Sequence, residues 1–229
     1  MTGEIEKLRN GVIVLCHAEG DDPFNAPIHT TAFANAAELG GAAGIRTQGS
    51  ENIAAVRSAV HLPIIGMAKG AYDDGWVLVT PDLIDVQNII EAGADVVALD
   101  VTNRVRPNGM DGFQFLELVR KRYAAPLVAD VATYEEGVRA AELGADMIAT
   151  TLSGYTQYTE NLADDFPDFN LIERLAAEIH VPVIAEGRIW TPGEAAHAMK
   201  CGAYAIVVGS AISRPRRITE RFVHTIKSL

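Results

Sequence analysis

Short apolar segments alternate with amphipathic segments along the whole chain. The apolar segments cover residues 11–17, 42–46, 63–68, 95–100, 126–131, 146–151, 182–186 and 203–208. They carry no polar face, which is typical of parallel strands that are buried on both sides. Between them, apolar positions follow the helical period of 3.6 residues, as at Ile53, Val56 and Val60. The pattern therefore predicts eight strands separated by helices.

Two short sequence motifs repeat along the chain and divide it into quarters. A helix-ending glycine followed by alanine or glycine occurs at Gly40, Gly93, Gly144 and Gly202, and a proline precedes a strand at Pro63, Pro126 and Pro182. Each interval of about 50 residues holds two βα units. Four such intervals predict an α/β fold, a single (β/α)8 TIM barrel. Because no linker or low-complexity segment interrupts it, we expect residues 1–229 to form one catalytic domain.

Polar residues mark where several of these helices begin. Thr191 with Glu194 and Thr133 with Glu136 have the spacing of a capping box, and Pro192 suits the first helical turn. By analogy, Thr80 is expected to begin the helix after the third strand. Residues 4–9 are expected to form a short extra helix that closes the bottom of the barrel.

The amino-acid composition limits the classes of function and partner that the chain is expected to have. The 229 residues are 48% hydrophobic, enough for a large core, and carry a net charge of −11 from 19 basic and 30 acidic side chains. This balance argues against nucleic acid or an anionic membrane as partner, although a site for a phosphorylated molecule can still be locally positive. Two cysteines, the lack of a signal-peptide pattern and the lack of a long apolar run favour a cytoplasmic protein.

Ionisable or small polar residues follow nearly every predicted strand. These strand ends carry Cys16 and His17, Arg46, Lys69, Asp100, Asp130, Thr150 and Thr151, Glu186, and Gly209 with Ser210. In a TIM barrel the active site lies at the carboxyl ends of the strands. Because burying such groups without partners is costly, their convergence at one rim indicates a site rather than packing.

The ends of the last two strands suggest a phosphate site. Gly187 and Gly209 each follow a strand, and glycine lets an anion approach the backbone N–H groups closely. The loops after the seventh and eighth barrel strands often bind phosphate in this fold. The alternative is that both glycines serve only tight turns.

Lys69 and Glu186 are the candidate acid–base pair. A partly buried lysine can accept a proton or act as a Schiff-base nucleophile, and a carboxylate facing the same pocket can exchange protons with the substrate. The alternatives are a solvated lysine and a glutamate that pairs with Arg188 or Lys69. Arg46 is expected either to bind an anion or carbonyl or to form a structural ion pair. Asp100 and Asp130 are expected either to hold hydroxyl groups or to cap loops.

Metal and nucleophilic-triad sites are less well supported. His17, Asp100, Asp130 and Glu186 could ligate a divalent ion, but His17 is the one histidine at a strand end. His61 and His180 precede strands and should lie at the opposite face. Cys16 and His17 are adjacent on one strand, so their side chains should point to opposite faces. We expect no metal and no cofactor.

Several motifs occur in an order that resembles one family. They are GIR (44–46), PIIGMAK (63–69), ALDVTNRVRP (98–107), ADVATYEEG (129–137), TTLSGYT (150–156), PVIAEGRI (182–189), IVVGSAISRP (206–215) and ITERF (218–222). Together they resemble the N-acetylmannosamine-6-phosphate 2-epimerases, over nearly the whole chain. The resemblance implies reversible interconversion of N-acetylmannosamine 6-phosphate and N-acetylglucosamine 6-phosphate in sialic acid and amino sugar catabolism, without a cofactor.

The resemblance also implies roles for individual residues. Lys69 matches the proton-transferring lysine and Glu186 the active-site glutamate, while Arg46 and Asp130 match substrate-site positions. Thr151, at the end of the sixth strand, is also expected to bind substrate. The positions expected at or near the phosphate are Gly187, Arg188, Gly209, Ser210 and Arg214. One substrate-binding position departs from the family, because His17 stands where glutamine is expected. Imidazole can still hydrogen-bond but also titrates near neutral pH.

Two other functions share these features. A Schiff-base aldolase or lyase would use Lys69 as a nucleophile on a phosphorylated sugar acid, and borohydride would trap its substrate. A sugar-phosphate-binding regulatory barrel would bind without turnover. The sequence leaves the oligomeric state open, with a homodimer as one option.

Overall fold

Eight parallel strands form a closed barrel in the computed structural model, which describes residues 3–162 and 166–229. The barrel strands are β1 (Val12–Leu15), β2 (Gly44–Gln48), β3 (Ile64–Met67), β6 (Val96–Asp100), β7 (Leu127–Asp130), β8 (Met147–Ala149), β9 (Val183–Glu186) and β10 (Ala205–Val208). Two further strands, β4 (Lys69–Ala71) and β5 (Val77–Val79), form a separate antiparallel pair. The barrel order is β1-β10-β9-β8-β7-β6-β3-β2, and β1 pairs with β2 to close it. The TIM-barrel prediction is confirmed, with each predicted barrel strand present.

Helices follow the barrel strands around the outside, and one short helix precedes β1. They are α1 (Gly3–Lys7), α2 (Pro27–Leu39), α3 (Ser50–Arg57), α4 (Leu83–Glu91), α5 (Gly112–Arg122), α6 (Tyr134–Glu142), α7 (Phe169–Glu178), α8 (Pro192–Lys200), α9 (Ser210–Ser213) and α10 (Pro215–Lys227), with a 3-10 turn at Glu160–Leu162. No helix within residues 3–162 or 166–229 has the length and hydropathy needed to cross a bilayer.

Most of the predicted helix boundaries are confirmed. Thr133 and Thr191 each accept a hydrogen bond from the backbone of Glu136 and Glu194, completing both capping boxes. The prediction for Thr80 is wrong, because Asp82 caps α4 by accepting hydrogen bonds from two backbone N–H groups. Thr80 instead has a φ of 51°, and its hydroxyl donates to the carbonyl oxygen of Ala98 at 2.6 Å.

The glycine repeat is confirmed in three of its four copies. Gly93, Gly144 and Gly202 have φ values of 98°, 93° and 98°, which glycine adopts without strain after a helix. In the first copy, Gly40 keeps a φ of −78° and the next residue, Gly41, takes the left-handed conformation at 85°. The double glycine therefore moves the turn by one residue.

The core has an inner layer and an outer layer. Alternate strand residues such as Ile13, Ile65 and Val128 fill the barrel, and Ile5 and Leu8 pack against this inner cluster. The expected helix at the bottom of the barrel is therefore present as α1. The other strand residues, including Cys16, pack outward against the helices. Polar side chains occupy the remaining part of the barrel interior, at the carboxyl ends of the strands.

Candidate active site

A cavity of about 250 Å³ opens at the carboxyl ends of the barrel strands. Ten predicted site residues line it, namely His17, Arg46, Lys69, Thr151, Glu186, Gly187, Arg188, Gly209, Ser210 and Arg214. Asp130 lies directly behind Arg46. Apolar and aromatic side chains complete the wall: Leu15, Met67, Val77, Val79, Leu152, Tyr155, Ile189, Trp190 and Val207. The structure thus brings the predicted residues of seven strand ends into one place.

Arg46 is the centre of a buried charge network in this cavity. Its guanidinium donates to both oxygens of Asp130, at 3.0 and 2.5 Å, and to Glu186 at 2.7 Å. Arg46 and Asp130 are fully buried. Burial lowers the pKa of Arg46, but Asp130 and Glu186 raise it by more, so the guanidinium stays charged. The fork geometry fixes the orientation of the cation.

Two threonines after β8 hold the acidic residues of this network, one through a carboxylate and the other through the backbone. The Thr151 hydroxyl donates to Asp130 at 2.8 Å. The Thr150 hydroxyl donates to the carbonyl oxygen of Glu186 at 3.0 Å and accepts from its N–H at 3.1 Å. Burial raises the pKa of Glu186, while Arg46 acts in the opposite direction. Glu186 is therefore easier to protonate than an exposed glutamate, within a rigid frame.

Lys69 lies on a hairpin that the sequence reasoning missed. It is the first residue of β4, which pairs antiparallel with β5. A readable signal was present, because Asp74 and Gly75 form the type of dipeptide that favours hairpin turns, and Gly75 has a φ of 88°. The hairpin places the Lys69 amine over the cavity, and burial, helped by Arg214, lowers its pKa to about 8. A substantial fraction of this lysine is therefore neutral near physiological pH.

The direct partner of Lys69 is Glu19, which lies in the loop after β1. Its Oε1 accepts a hydrogen bond from the Lys69 ammonium and one from His17 Nε2 at 3.2 Å. The sequence offered no signal for Glu19, which stands two residues beyond the predicted strand end at His17. Glu186 contacts Arg46, so neither of the predicted partners of Glu186, Arg188 and Lys69, holds it directly.

His17 is buried and neutral. Burial, together with Lys69 and Arg214, lowers its pKa to about 3. A neutral imidazole that donates from Nε2 to Glu19 has its acceptor at Nδ1, which is buried and has no hydrogen-bond partner among residues 3–162 and 166–229. The neighbouring Cys16 packs in the outer core, as the alternation predicted, and burial raises its thiol pKa to about 12. Cys16 is therefore not an activated nucleophile.

The opposite side of the cavity carries the predicted phosphate residues. Gly187 has a φ of 116°, a conformation that favours glycine, and a Cβ on Gly209 would lie 3.1 Å from the Leu15 side chain. Ser210 begins the short helix α9, and Arg214 follows it. Arg188 donates to the carbonyl oxygens of Phe166 and Ser153, at 2.8 and 2.6 Å. Arg188 thus fixes a loop while adding positive charge to the wall.

Asp100 belongs to a separate network outside the cavity. Its carboxylate accepts from Arg104 at 2.7 Å and from the Thr102 hydroxyl at 2.7 Å. The loop-capping alternative for Asp100 fits this arrangement. His61 is almost fully exposed, and His180 lies beside Asn10 and Tyr204 at the amino end of the barrel. Both histidines are at the face opposite the cavity, as predicted.

Comparisons with known proteins agree on one family. Residues 30–228 match the family model described as "Putative N-acetylmannosamine-6-phosphate epimerase". A protein of Caldanaerobacter subterraneus subsp. tengcongensis, named as a putative 2-epimerase of the same type, is 50% identical over 97% of this chain and 94% of its own length. A Clostridioides difficile protein with the same name is 40% identical over 97% and 99%.

A solved structure shows the same relationship. The N-acetylmannosamine-6-phosphate 2-epimerase of Clostridium perfringens superposes with a TM-score of 0.90 at 39% identity, covering 96% of this chain and 95% of its own. At lower identity, 18%, a thiamine phosphate pyrophosphorylase of Pyrococcus furiosus shares the barrel fold with a TM-score of 0.60. The match over most of both chains decides the assignment: this chain belongs to the N-acetylmannosamine-6-phosphate epimerase family.

Proposed function

We propose that this chain interconverts N-acetylmannosamine 6-phosphate and N-acetylglucosamine 6-phosphate by removing and returning the proton at C2. The observation that carries this proposal is the placement of a lysine, a fixed arginine and a glycine-rich anion site around one cavity. Family membership supplies the substrate, and the cavity supplies groups suited to each chemical requirement. As a member of this family, the enzyme is proposed to act in sialic acid and amino sugar breakdown.

Lys69 is the proposed proton acceptor. Opening the sugar ring produces an aldehyde at C1, which makes the C2 proton acidic because it then lies next to a carbonyl group. The amine must be neutral to take this proton, and its lowered pKa of about 8 makes that form available. Because no electron transfer occurs, we propose that the reaction needs no redox cofactor, and because Arg46 is placed to stabilise the enolate electrostatically, we propose that it needs no metal.

Arg46 is the proposed stabiliser of the enolate that forms when C2 loses its proton. Asp130 and Glu186 hold its guanidinium in place before substrate arrives, so little reorganisation is needed in the transition state. Glu186, with its raised pKa, is the proposed proton carrier for ring opening and closing. Thr151 and Asp130 position these groups, and His17 is a proposed hydrogen-bonding contact for the substrate.

The phosphate group is proposed to bind at the far end of the cavity. Gly187 and Gly209 allow close approach of the backbone, Ser210 offers a hydroxyl, and Arg188 and Arg214 supply positive charge. Anchoring the phosphate there holds C2 near Lys69, because binding energy from a remote group can be used for orientation.

A homodimer is the proposed assembly. None of the side chains of α10 is buried, and Ile218, Phe222 and Ile226 recur on one face of this helix. Phe222 is 71% exposed and Ile226 67%. An apolar stripe of this kind is unfavourable in water and is typically covered by a partner. We also propose that the enzyme is cytoplasmic and that residues 1–229 act as one catalytic domain.

The direct test is turnover of N-acetylmannosamine 6-phosphate by the wild type and by Lys69→Gln. Loss of the lysine should reduce kcat by about 10²-fold or more, because general base catalysis contributes on that order. Lys7→Gln is the matched control, since Lys7 lies in α1 at the other end of the barrel and pairs with Glu4. No epimerisation by the wild type would contradict the proposal.

A second assay separates the proposal from a Schiff-base aldolase. Borohydride reduction during turnover should leave the wild type unmodified, since the amine accepts a proton and forms no bond to carbon. A substrate adduct on Lys69 would instead favour the aldolase chemistry.

A further inference from the structure

The loop that follows β1 reaches over the cavity and contacts the Lys69 amine. In this loop Glu19 Oε1 accepts hydrogen bonds from both Lys69 and His17. The side chain of His17 is buried, whereas 39% of the Glu19 side chain is exposed. Glu19 therefore touches the amine inside the cavity and the solvent outside it.

Hydrogen bonds within the loop hold Glu19 in this position. The Glu19 carbonyl oxygen accepts from the N–H of Asp22 at 3.1 Å, and Gly20 has a φ of 57° that allows the tight turn. Gln48 donates to the Ala18 carbonyl oxygen at 3.3 Å. Arg216 also pairs with Asp21 at 2.8 Å, but 87% of the Asp21 side chain is exposed, so this pair contributes little to the position of the loop. The contact between Glu19 and Lys69 is thus built into the loop.

An amine that takes a proton from carbon must also lose it. After Lys69 accepts the C2 proton it is an ammonium ion. Its partners within hydrogen-bond reach are Nε2 of the buried His17, at 3.5 Å, and the Glu19 carboxylate, which has one side in water. A carboxylate in this position can take a proton from the ammonium and exchange it with water. The Glu186 side chain is 7% exposed and its Oε2 accepts from Arg46, so it does not offer the same path to bulk water.

We propose that Glu19 is a positioning and proton-relay residue that exchanges the proton of Lys69 with solvent during the reaction. This inference rests on the proposed function of Lys69. In the first step the neutral amine takes the C2 proton, which leaves the enolate and an ammonium ion. In the second step Glu19 takes one ammonium proton, which restores the neutral amine and forms a carboxylic acid. The acid then exchanges its proton with water, and the reverse steps deliver a solvent proton to C2.

Isotope retention tests the relay directly. N-acetylmannosamine 6-phosphate carrying deuterium at C2 is converted in H₂O, and mass spectrometry of the product at low conversion gives the fraction that keeps deuterium. With the relay intact, the wild type loses most of the label to water. In Glu19→Gln the amide cannot take the proton, so retention should rise about twofold or more. Glu19→Asp keeps a carboxylate and should retain less label than Glu19→Gln.

Asp21→Asn is the matched control. Asp21 lies in the same loop and carries the same charge, but its side chain is 87% exposed and pairs with Arg216 rather than with Lys69. It should retain no more deuterium than the wild type. Equal retention in the wild type and Glu19→Gln would overturn the relay, even if Glu19→Gln were slower. Full retention by the wild type would contradict solvent exchange itself, and absence of epimerisation would instead contradict the proposed function.

Discussion

Replacing Arg46 by methionine tests whether the charge network holds the site together. Methionine is similar in length but carries no charge, so Asp130 and Glu186 would face each other in the core without their shared cation. Removing one partner of a buried ion pair typically costs about 3–5 kcal/mol. In a chain of this size that corresponds to a fall in Tm of roughly 6–20 °C.

The pH dependence gives this prediction a second part. Without the cation, the folded protein should bind a proton between the two carboxylates, so the pKa of one of them lies above its unfolded value. A group of this kind stabilises the folded state at low pH, and that stability is lost as pH rises through the folded pKa. The gap in Tm between wild type and Arg46→Met should therefore be smaller at about pH 5.5 than at about pH 7.5.

Scanning calorimetry at both pH values is the assay, with Arg57→Met as the control. Arg57 also pairs with an aspartate, Asp95, but its side chain is 33% exposed, so the loss should be smaller, about 1–2 kcal/mol. Two results would refute the reasoning: a Tm for Arg46→Met close to that of the wild type, or a gap that widens at the lower pH.

Three further predictions concern pH, phosphate and assembly. First, kcat/KM should rise between about pH 7 and pH 9, because Lys69, with a pKa of about 8, must be neutral to accept the proton; a flat profile over this range would contradict that role. Second, Arg214→Gln should raise KM by about tenfold or more and move this rise to higher pH, because Arg214 lowers the pKa of Lys69, whereas Arg217→Gln should do neither. Third, Phe222→Glu should convert a dimer to a monomer in light scattering, while His224→Glu, on the other side of α10, should leave the dimer intact; a wild-type monomer would contradict the proposed assembly.

The repeating pattern of the chain made the barrel predictable. Each barrel strand is a short run of apolar residues. In a (β/α)8 barrel, the order of these runs along the chain determines which strands are neighbours, so recognising the repeat is enough to predict the fold. The capping boxes at Thr133 and Thr191 were predictable because their hydrogen bonds are local in sequence. Thr80 was misassigned because its hydroxyl bonds across the sheet to Ala98, a contact that no local pattern reveals.

The sequence predicted which residues form the site, but it did not predict which of them form ion pairs and hydrogen bonds with one another. Strand ends identify most of the side chains that meet at the rim, and ten of the predicted site residues line the cavity. Which carboxylate pairs with which cation depends on side-chain reach. Arg46 reaches across the barrel to Asp130 and Glu186, and the hairpin moves Lys69 away from the end of β3 toward Glu19. Loop residues such as Glu19 depend on a turn whose path the apolar pattern does not encode.

Proton NMR in D₂O is the measurement that tests the central claim most directly. Wild-type protein and Lys69→Gln are each incubated with N-acetylmannosamine 6-phosphate, and the C2 position of both epimers is followed. The account predicts that the wild type forms the gluco epimer with deuterium at C2 and that Lys69→Gln does so at a rate lower by about 10²-fold or more. Formation of the gluco epimer at the wild-type rate by Lys69→Gln, or no epimer with the wild type, would contradict it.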